Sequence, residues 1–126
     1  MSDSLERLFK SVNDLKKGDP ASSRTARLMR SGRSKISKKL AEEAVEVVID
    51  AMQGDRDAVI RESADLLYNL VVLWASTGIR PQDVWAEMER RERLFGLAEK
   101  LPKELPGPLS RRKVVALEPR RIRKRR

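Results

Sequence analysis

The 126-residue sequence contains neither cysteine nor histidine. Without cysteine, a disulfide framework, a thiol nucleophile and a zinc–thiolate site are all excluded. Without histidine, the chain lacks the commonest general base and transition-metal ligand, and it has no Ser-His-Asp triad. If the protein is an enzyme, its acid–base chemistry falls to carboxylates, lysines, the single tyrosine or a metal-bound water.

Aromatic residues and long apolar runs are also scarce. Aromatics make up 4% of the residues. The longest apolar stretch, around Leu66 to Ala75, is too short to span a bilayer and is interrupted by Asn69. The first residues, MSDSLERLFK, lack the apolar centre of a signal peptide. The sequence therefore predicts a cytoplasmic protein without a membrane partner.

Positive charge is abundant but unevenly distributed. The formal net charge is +9, and the segment from Ser110 onward carries +8 of it. The preceding residues are nearly neutral, so nucleic-acid binding is expected only through this basic tail. Pro106 and Pro108 precede the tail, which has few apolar anchors. We predict a folded domain over residues 1–104, followed over residues 105–126 by a proline-containing linker and a disordered basic tail.

The composition favours helices, because Ala, Leu, Glu, Lys and Arg dominate. Apolar residues at helical spacing and Gly/Pro breakers predict an all-α bundle of four to five helices. A short helix is expected within Ser23–Lys35, ended by Gly32. The four longer helices are predicted near Ser4–Lys16, Lys35–Gln53, Arg56–Ser76 and Pro81–Phe95.

The two long central helices are predicted to form a hairpin. Gly54 suits the end of the first helix and Asp55 suits the N-cap of the second. Apolar residues at helical spacing are expected to form the packing faces of the pair. These are Ile36, Leu40, Ala44, Val47, Val48 and Ala51 in the first helix and Ile60, Ala64, Leu67, Val71 and Trp74 in the second.

Acidic residues also recur at helical spacing in this hairpin. Glu43 and Glu46 share one face of the first helix, and Glu62 and Asp65 share one face of the second. Glu46 lies about 10 Å and Glu62 about 9 Å from the turn, so the two acidic rows should meet at one height. Carboxylates without His or Cys suit a hard cation such as Mg²⁺ or Mn²⁺. The alternative is a solvated face, with ion pairs to Lys39, Arg56 and Arg61.

A basic stretch leads into the first acidic row. Cationic side chains there would complement phosphates bridged by a metal ion, and Lys39 stands one turn before Glu43. A solvated basic surface is the alternative. Glu42 lies about 100° round the helix from Glu43, so it is either an accessory acid or merely exposed. The candidate phosphate-binding residues are Lys39, Arg24, Arg27 and Lys38.

The motifs KKLAEEAVEVVIDA and GDRDAVIRESADLLYNLVVL, with SRTARLMRSGRSKISKK upstream, resemble the phosphoribosyl-ATP pyrophosphohydrolase family of histidine biosynthesis. The resemblance covers roughly Leu5 to Lys100 and extends to the all-α, MazG-like nucleoside-triphosphate pyrophosphohydrolases. It implies an all-helical fold completed by dimerisation and Mg²⁺-dependent hydrolysis of phosphoribosyl-ATP to phosphoribosyl-AMP and pyrophosphate. It also implies that Glu42 is an accessory acid, that Lys39 contacts phosphate, and that the metal ligands are Glu43, Glu46, Glu62 and Asp65.

The sequence departs from the family pattern at several positions. Asn69 stands where the family usually has histidine, Ala41 where it has glycine, and Arg24 where an aromatic residue is common. No departure removes an implied metal ligand, but the upstream changes bear on nucleotide recognition. Three alternatives therefore stay open. They are a house-cleaning pyrophosphohydrolase for another nucleoside triphosphate, a nucleic-acid-binding module acting through the tail, and a purely structural helical dimer.

Overall fold

A computed structural model describes residues 2–96. Five α-helices and no strands occur among these residues, which confirms the predicted all-α class. The predicted boundary at residues 104/105 and the basic tail lie outside the described residues. Within the described part of the chain, no helix has the length and apolarity needed to cross a membrane. The helices are α1 (Ser2–Leu15), α2 (Arg24–Arg30), α3 (Arg33–Met52), α4 (Arg56–Thr77) and α5 (Pro81–Phe95).

The turn between α3 and α4 is short because two residues end one helix and begin the next. Gly54 has φ 73°, a left-handed conformation that glycine adopts without the Cβ penalty. Its N–H donates to the carbonyl of Ala51, and the N–H of Asp55 donates to that of Asp50, both at 3.1 Å. The Asp55 carboxylate then accepts from the N–H of Ala58 at 3.1 Å. This Schellman motif followed by an N-cap confirms the predicted roles of Gly54 and Asp55.

The other helix boundaries follow the same local rules. Ser23 caps α2, its hydroxyl accepting from the N–H of Ala26 at 3.0 Å. Gly78, with φ 77°, ends α4. Pro81 occupies the first position of α5, where its missing N–H costs no helical hydrogen bond. The predicted breakers thus set the boundaries of these helices.

The apolar core of the first compact unit, which extends to Ala86, lies where α1 packs on α4. Val12 of α1 is 1% exposed, and Val71 and Val72 of α4 are fully buried. Trp74 and Trp85 meet edge to face, with ring centroids 6.3 Å apart, at the margin of this cluster. The second unit begins at Glu87, whose carboxylate accepts from Arg90 and Arg91.

The packing faces predicted for α3 and α4 were partly wrong. Val48 is 59% exposed, Ile60 52% and Leu67 43%, whereas Ile36 is buried as predicted. The core-facing row of α3 continues from Ile36 to Glu43, seven residues on, which is 6% exposed. The prediction failed for Val48, Ile60 and Leu67 because it assumed that the apolar side faces inward along the whole of each helix, whereas the buried residue of α3 nearest the turn is the acidic Glu43. Farther from the turn, Val71 and Trp74 of α4 are buried as predicted.

Candidate metal and phosphate site

Three of the predicted carboxylates come together between α3 and α4. One carboxylate oxygen from each of Glu43, Glu62 and Asp65 lies within 4.8 Å of the other two. The hairpin turn brings them together, because it places residues at similar distances from the turn at similar heights on antiparallel helices. We call Glu43, Glu62 and Asp65 the carboxylate cluster.

The three side chains of the carboxylate cluster differ in solvent exposure. Glu43 is buried, Glu62 is half-buried and Asp65 is exposed. One oxygen of Glu43 and one of Glu62 are buried and have no hydrogen-bond partner among the described residues. A buried carboxylate oxygen without a partner is costly, so this arrangement calls for a ligand that a carboxylate oxygen can bind.

Glu46, the fourth predicted acid, acts on the cluster without belonging to its tightest group. Hydrogen bonding to Glu43 and then to Glu46, together with desolvation and the repulsion of both charges, raises the pKa of Glu62 from its ordinary 4.5 to about 7. Glu46 is exposed on α3. Its carboxyl therefore lies on the open side of the cluster, close enough to influence Glu62.

Lys39 partly offsets the negative charge of the cluster. The ammonium of Lys39 lies 3.1 Å from Oε2 of Glu43, one helical turn away. The Lys39 side chain is 40% exposed and that of Glu43 is 8% exposed. Lys39 thus reaches from solvent to the most buried carboxylate.

The donor set fits a hard divalent cation. Oxygen ligands without nitrogen or sulfur suit Mg²⁺, Ca²⁺ or Mn²⁺, and a half-open site leaves positions for water or a phosphate oxygen. Like-charged carboxylates this close repel each other, and a bound cation would remove that repulsion. The unpartnered oxygens of Glu43 and Glu62 are consistent with this use.

A basic groove lies beside the carboxylate cluster. It has a volume of 310 Å³ and is lined by Arg24, Arg27, Leu28, Ser31, Lys35 and Lys39. An adjoining groove of 240 Å³ is lined by Leu28, Lys35, Lys38, Lys39 and Glu42. Every predicted phosphate-binding residue lines one of these grooves, and Lys39 lines both. Glu42 is exposed and faces the second groove, outside the carboxylate cluster.

Arg27 already has one protein partner in its groove. Its guanidinium donates to the carbonyl of Pro20 at 2.7 Å. This bond holds the Arg27 guanidinium against the loop before α2. The guanidinium has further N–H donors that can bind an anion.

Two residues of α4 have contacts that the sequence did not reveal. The hydroxyl of Tyr68 lies 2.7 Å from that of Thr25, and Arg24 lies over the Tyr68 ring, 5.8 Å from its centroid. Asn69 is 1% exposed and donates to the carbonyl of Asp65 at 2.8 Å. The helical spacing left the role of Tyr68 open, and no local pattern indicates a contact across 43 residues.

The fold and the site define a class of protein: an all-α chain whose central hairpin presents a carboxylate cluster next to a basic groove. Residues 4–92 match the family described as phosphoribosyl-ATP pyrophosphohydrolase. The chain belongs to the phosphoribosyl-ATP pyrophosphohydrolase family, which confirms the membership that the two acidic motifs predicted.

Named relatives agree with this assignment. A Bradyrhizobium diazoefficiens protein named phosphoribosyl-ATP pyrophosphatase 2 is 62% identical over 133 residues, covering 99% of each chain. A Rhodopseudomonas palustris protein of the same name is 61% identical, covering 100% of each chain. A phosphoribosyl-ATP pyrophosphatase of Gluconobacter oxydans is 50% identical, covering 82% of this chain and 79% of the relative.

Proposed function

We propose that this chain hydrolyses 1-(5-phosphoribosyl)-ATP to 1-(5-phosphoribosyl)-AMP and pyrophosphate, the second step of histidine biosynthesis. The observation that carries the proposal is the carboxylate cluster, with its ligand oxygens within 4.8 Å, beside a groove lined by arginine and lysine. A nucleoside triphosphate needs both features, since its chain of phosphates binds divalent cations and offers further oxygens to cationic side chains.

The carboxylates of α3 and α4 would hold the cofactor. Glu43, Glu62 and Asp65 supply converging oxygens, and Glu46 adds one from the open side. Mg²⁺, or Mn²⁺ in its place, would supply charge neutralisation of the phosphates and a water of lowered pKa. The protein's own contribution is to fix the ligand oxygens on two rigid helices and to keep one end of the site open to substrate.

The basic grooves would bind the phosphates. Lys39 would contact an incoming phosphate, a role supported by its ion pair with Glu43 and its position in the groove. Arg24 and Arg27 line one groove and Lys38 lines the other, so together they can bind several phosphate oxygens. Glu42 faces the second groove and would serve as an accessory acid that orients water rather than as a metal ligand.

We further propose that two copies pair through the outer face of the α3–α4 hairpin. Val45, Val48, Ile49 and Met52 follow one another at helical spacing on α3 and are 47–83% exposed. Ile60 and Leu67 add apolar surface on α4. A contiguous exposed apolar face of this kind is typical of an interaction surface, and a second copy would bury it.

The test of the activity is pyrophosphate release from phosphoribosyl-ATP, with ATP and dUTP in parallel, each with Mg²⁺ and with EDTA. We expect rapid release from phosphoribosyl-ATP that Mg²⁺ supports and EDTA abolishes. Activity confined to ATP or dUTP would instead identify a house-cleaning pyrophosphohydrolase, and no release from any of the three would overturn the proposal.

The basic tail needs a separate test, because it lies outside the described residues. We propose that it is dispensable for turnover, so deletion of residues 110–126 should leave pyrophosphate release unchanged. A nucleic-acid-binding module would instead lose a strongly salt-dependent binding activity with the same deletion. The cytoplasmic location predicted from the sequence stays a prediction.

A further inference from the structure

Helix α2 carries two residues of the basic groove, Arg24 and Arg27, yet it is short. It has seven residues, too few to be stable in isolation. Its position therefore depends on contacts with the rest of the protein. Its N-terminal turn borders the groove through Arg24 and contacts α4 through Thr25.

Tyr68 of α4 makes two contacts with adjacent residues in that turn. Its hydroxyl lies 2.7 Å from the hydroxyl of Thr25, the length of a good O–H···O hydrogen bond. Thr25 is 7% exposed, so the bond is shielded from water. The face of the Tyr68 ring lies under Arg24, with Cζ 5.8 Å from the ring centroid, within the range of a cation–π interaction.

Tyr68 also lies close to the acidic site along its own helix. It follows Asp65 by three residues, so the two side chains are neighbours on the surface of α4. The same helix thus presents a carboxylate to the cation site and, one turn later, an aromatic ring that contacts the basic helix. Tyr68 thus lies between Asp65 on its own helix and Arg24 on α2.

We propose that Tyr68 is a positioning residue for phosphate binding, which holds α2 through Thr25 and orients the guanidinium of Arg24 at the groove. The inference rests on the proposed function, because it assigns Arg24 to the phosphates of a nucleotide substrate. It adds that the position of Arg24 at the groove is set by stacking on the Tyr68 ring.

The test uses the full chain and two readouts. The first is the affinity for inorganic tripolyphosphate in metal-free buffer, measured by calorimetry, which does not depend on turnover. The second is the kinetics of pyrophosphate release from phosphoribosyl-ATP. The variants are Tyr68→Leu, Tyr68→Phe, Thr25→Val and Arg24→Ala, with Thr77→Val as control. Thr77 donates only to carbonyls of its own helix, so it matches the loss of a threonine hydroxyl without a link to α2.

We expect Tyr68→Leu to weaken tripolyphosphate binding and raise KM by about fivefold, the order of one lost cation–π contact. Tyr68→Phe and Thr25→Val should each raise KM by about threefold, the order of one hydrogen bond. In all of these variants kcat should stay within about twofold of its original value, because only substrate binding is weakened. Thr77→Val should leave both readouts unchanged.

The decisive comparison is a double-mutant cycle between Arg24→Ala and Tyr68→Leu. If Tyr68 acts through Arg24, the double variant binds tripolyphosphate no more weakly than Arg24→Ala alone. Additive losses, a fall in kcat without a change in KM, or no binding of tripolyphosphate by the unmodified protein would each overturn the inference. If Tyr68→Leu unfolds, a cycle between Tyr68→Phe and Thr25→Val tests the hold on α2 instead, because both variants remove the same hydrogen bond and keep the ring. Additive losses in that cycle would overturn the inference.

The two proposals fail in different ways. No pyrophosphate release by the unmodified protein would refute the proposed function, whereas the tripolyphosphate cycle would still report on Tyr68 and Arg24. If the unmodified protein releases pyrophosphate but the losses of tripolyphosphate affinity in the cycle are additive, only the positioning role of Tyr68 is refuted. Mn²⁺ affinity, followed by electron paramagnetic resonance, should be unchanged in every variant, because none removes a carboxylate.

Discussion

In the half of the α3–α4 hairpin that lies next to the turn, the inner and outer sides reverse the usual arrangement of a soluble helix pair. On the inner side Glu43 is 6% exposed and faces Glu62 and Asp65. On the outer side Met52 is 83% exposed and Val48 is 59% exposed. In a helix pair stabilised only by its own core, the apolar residues would be inside and the acids outside.

This reversal shows that neither side of the hairpin is explained by the stability of a single chain. Close carboxylates with unpartnered buried oxygens weaken the fold unless a cation binds them. A wide apolar face in water also gains nothing until another surface covers it. Each side is therefore best explained by a ligand, and the following predictions test the two sides separately.

The largest expected effect is on the acidic side. Glu46→Gln should reduce pyrophosphate release by at least about 100-fold if Glu46 is a metal ligand as proposed, because the variant would remove one charged oxygen ligand of the cation. The helical circular dichroism should not change, since Glu46 is exposed on α3. Asp14→Asn is a matched control, because it also removes one exposed carboxylate, on α1. Full activity of Glu46→Gln would refute the ligand assignment.

The next effect tests the apolar side. Val48→Asp should weaken self-association by at least about 100-fold, since a carboxylate buried in an apolar contact without a partner costs several kcal/mol. Sedimentation velocity over a range of protein concentrations measures this directly. Ser11→Asp adds the same charge at an exposed position of α1 and should leave association intact. A monomer at all concentrations before any substitution would contradict the proposed pairing.

A smaller effect is expected on stability, from a substitution in the turn that joins α3 and α4. Gly54→Ala should destabilise the fold by about 1 kcal/mol, because alanine is strained at φ 73°. No atom within 4 Å would clash with the added Cβ, so the cost is conformational. Gly54→Asn should cost less, since asparagine tolerates the left-handed region. Thermal unfolding measures both, and equal melting temperatures for Gly54→Ala and the original chain would refute this account.

The smallest expected effect is a pH dependence on the acidic side. In metal-free buffer the pKa of Glu62 is about 7, above the ordinary value of 4.5 that it regains on unfolding. Its contribution to stability is therefore fully present below pH 4.5 and is lost as the pH rises through 7. Half-burial makes this loss modest, because solvent screens the repulsion.

A comparison of melting temperatures isolates the Glu62 contribution. Between pH 5 and pH 8, the melting temperature of the original chain should fall relative to that of the Glu62→Gln variant. Adding Mg²⁺ should make this fall smaller. A difference that stays constant across this pH range would show that the neighbouring carboxylates do not affect Glu62 in solution.

The sequence predicted the helices and their boundaries well, because local chemistry sets them. Gly54, Asp55, Gly78 and Pro81 act through capping and backbone conformation, which neighbours along the chain decide. The convergence of the acidic rows was also predictable, since two regular helices and a short turn fix the heights of Glu43 and Asp65. The exposure of the apolar face of α3 was not predictable from the sequence. Hydrophobic spacing identifies the apolar side of a helix, but it does not show which part of the protein covers that side.

The contacts of Tyr68 were beyond sequence reasoning for a different reason. The Thr25–Tyr68 bond joins residues 43 positions apart, and its existence depends on how α2 packs against α4. Neither helix carries a local pattern that specifies the other as its partner. The burial of Asn69 is similar, because its amide donates within α4 and gives no sequence signal beyond helical spacing.

The short turn at Gly54 and Asp55 also changes what insertions and deletions would do. Surface turns normally tolerate changes of length, since little depends on their geometry. Here one added residue that extended α4 would rotate the helix by about 100° and advance it by about 1.5 Å. Glu62 and Asp65 would then leave the oxygens of Glu43 although none of the three had been altered. The length of this turn therefore determines whether the carboxylate cluster forms, just as the identities of its three residues do.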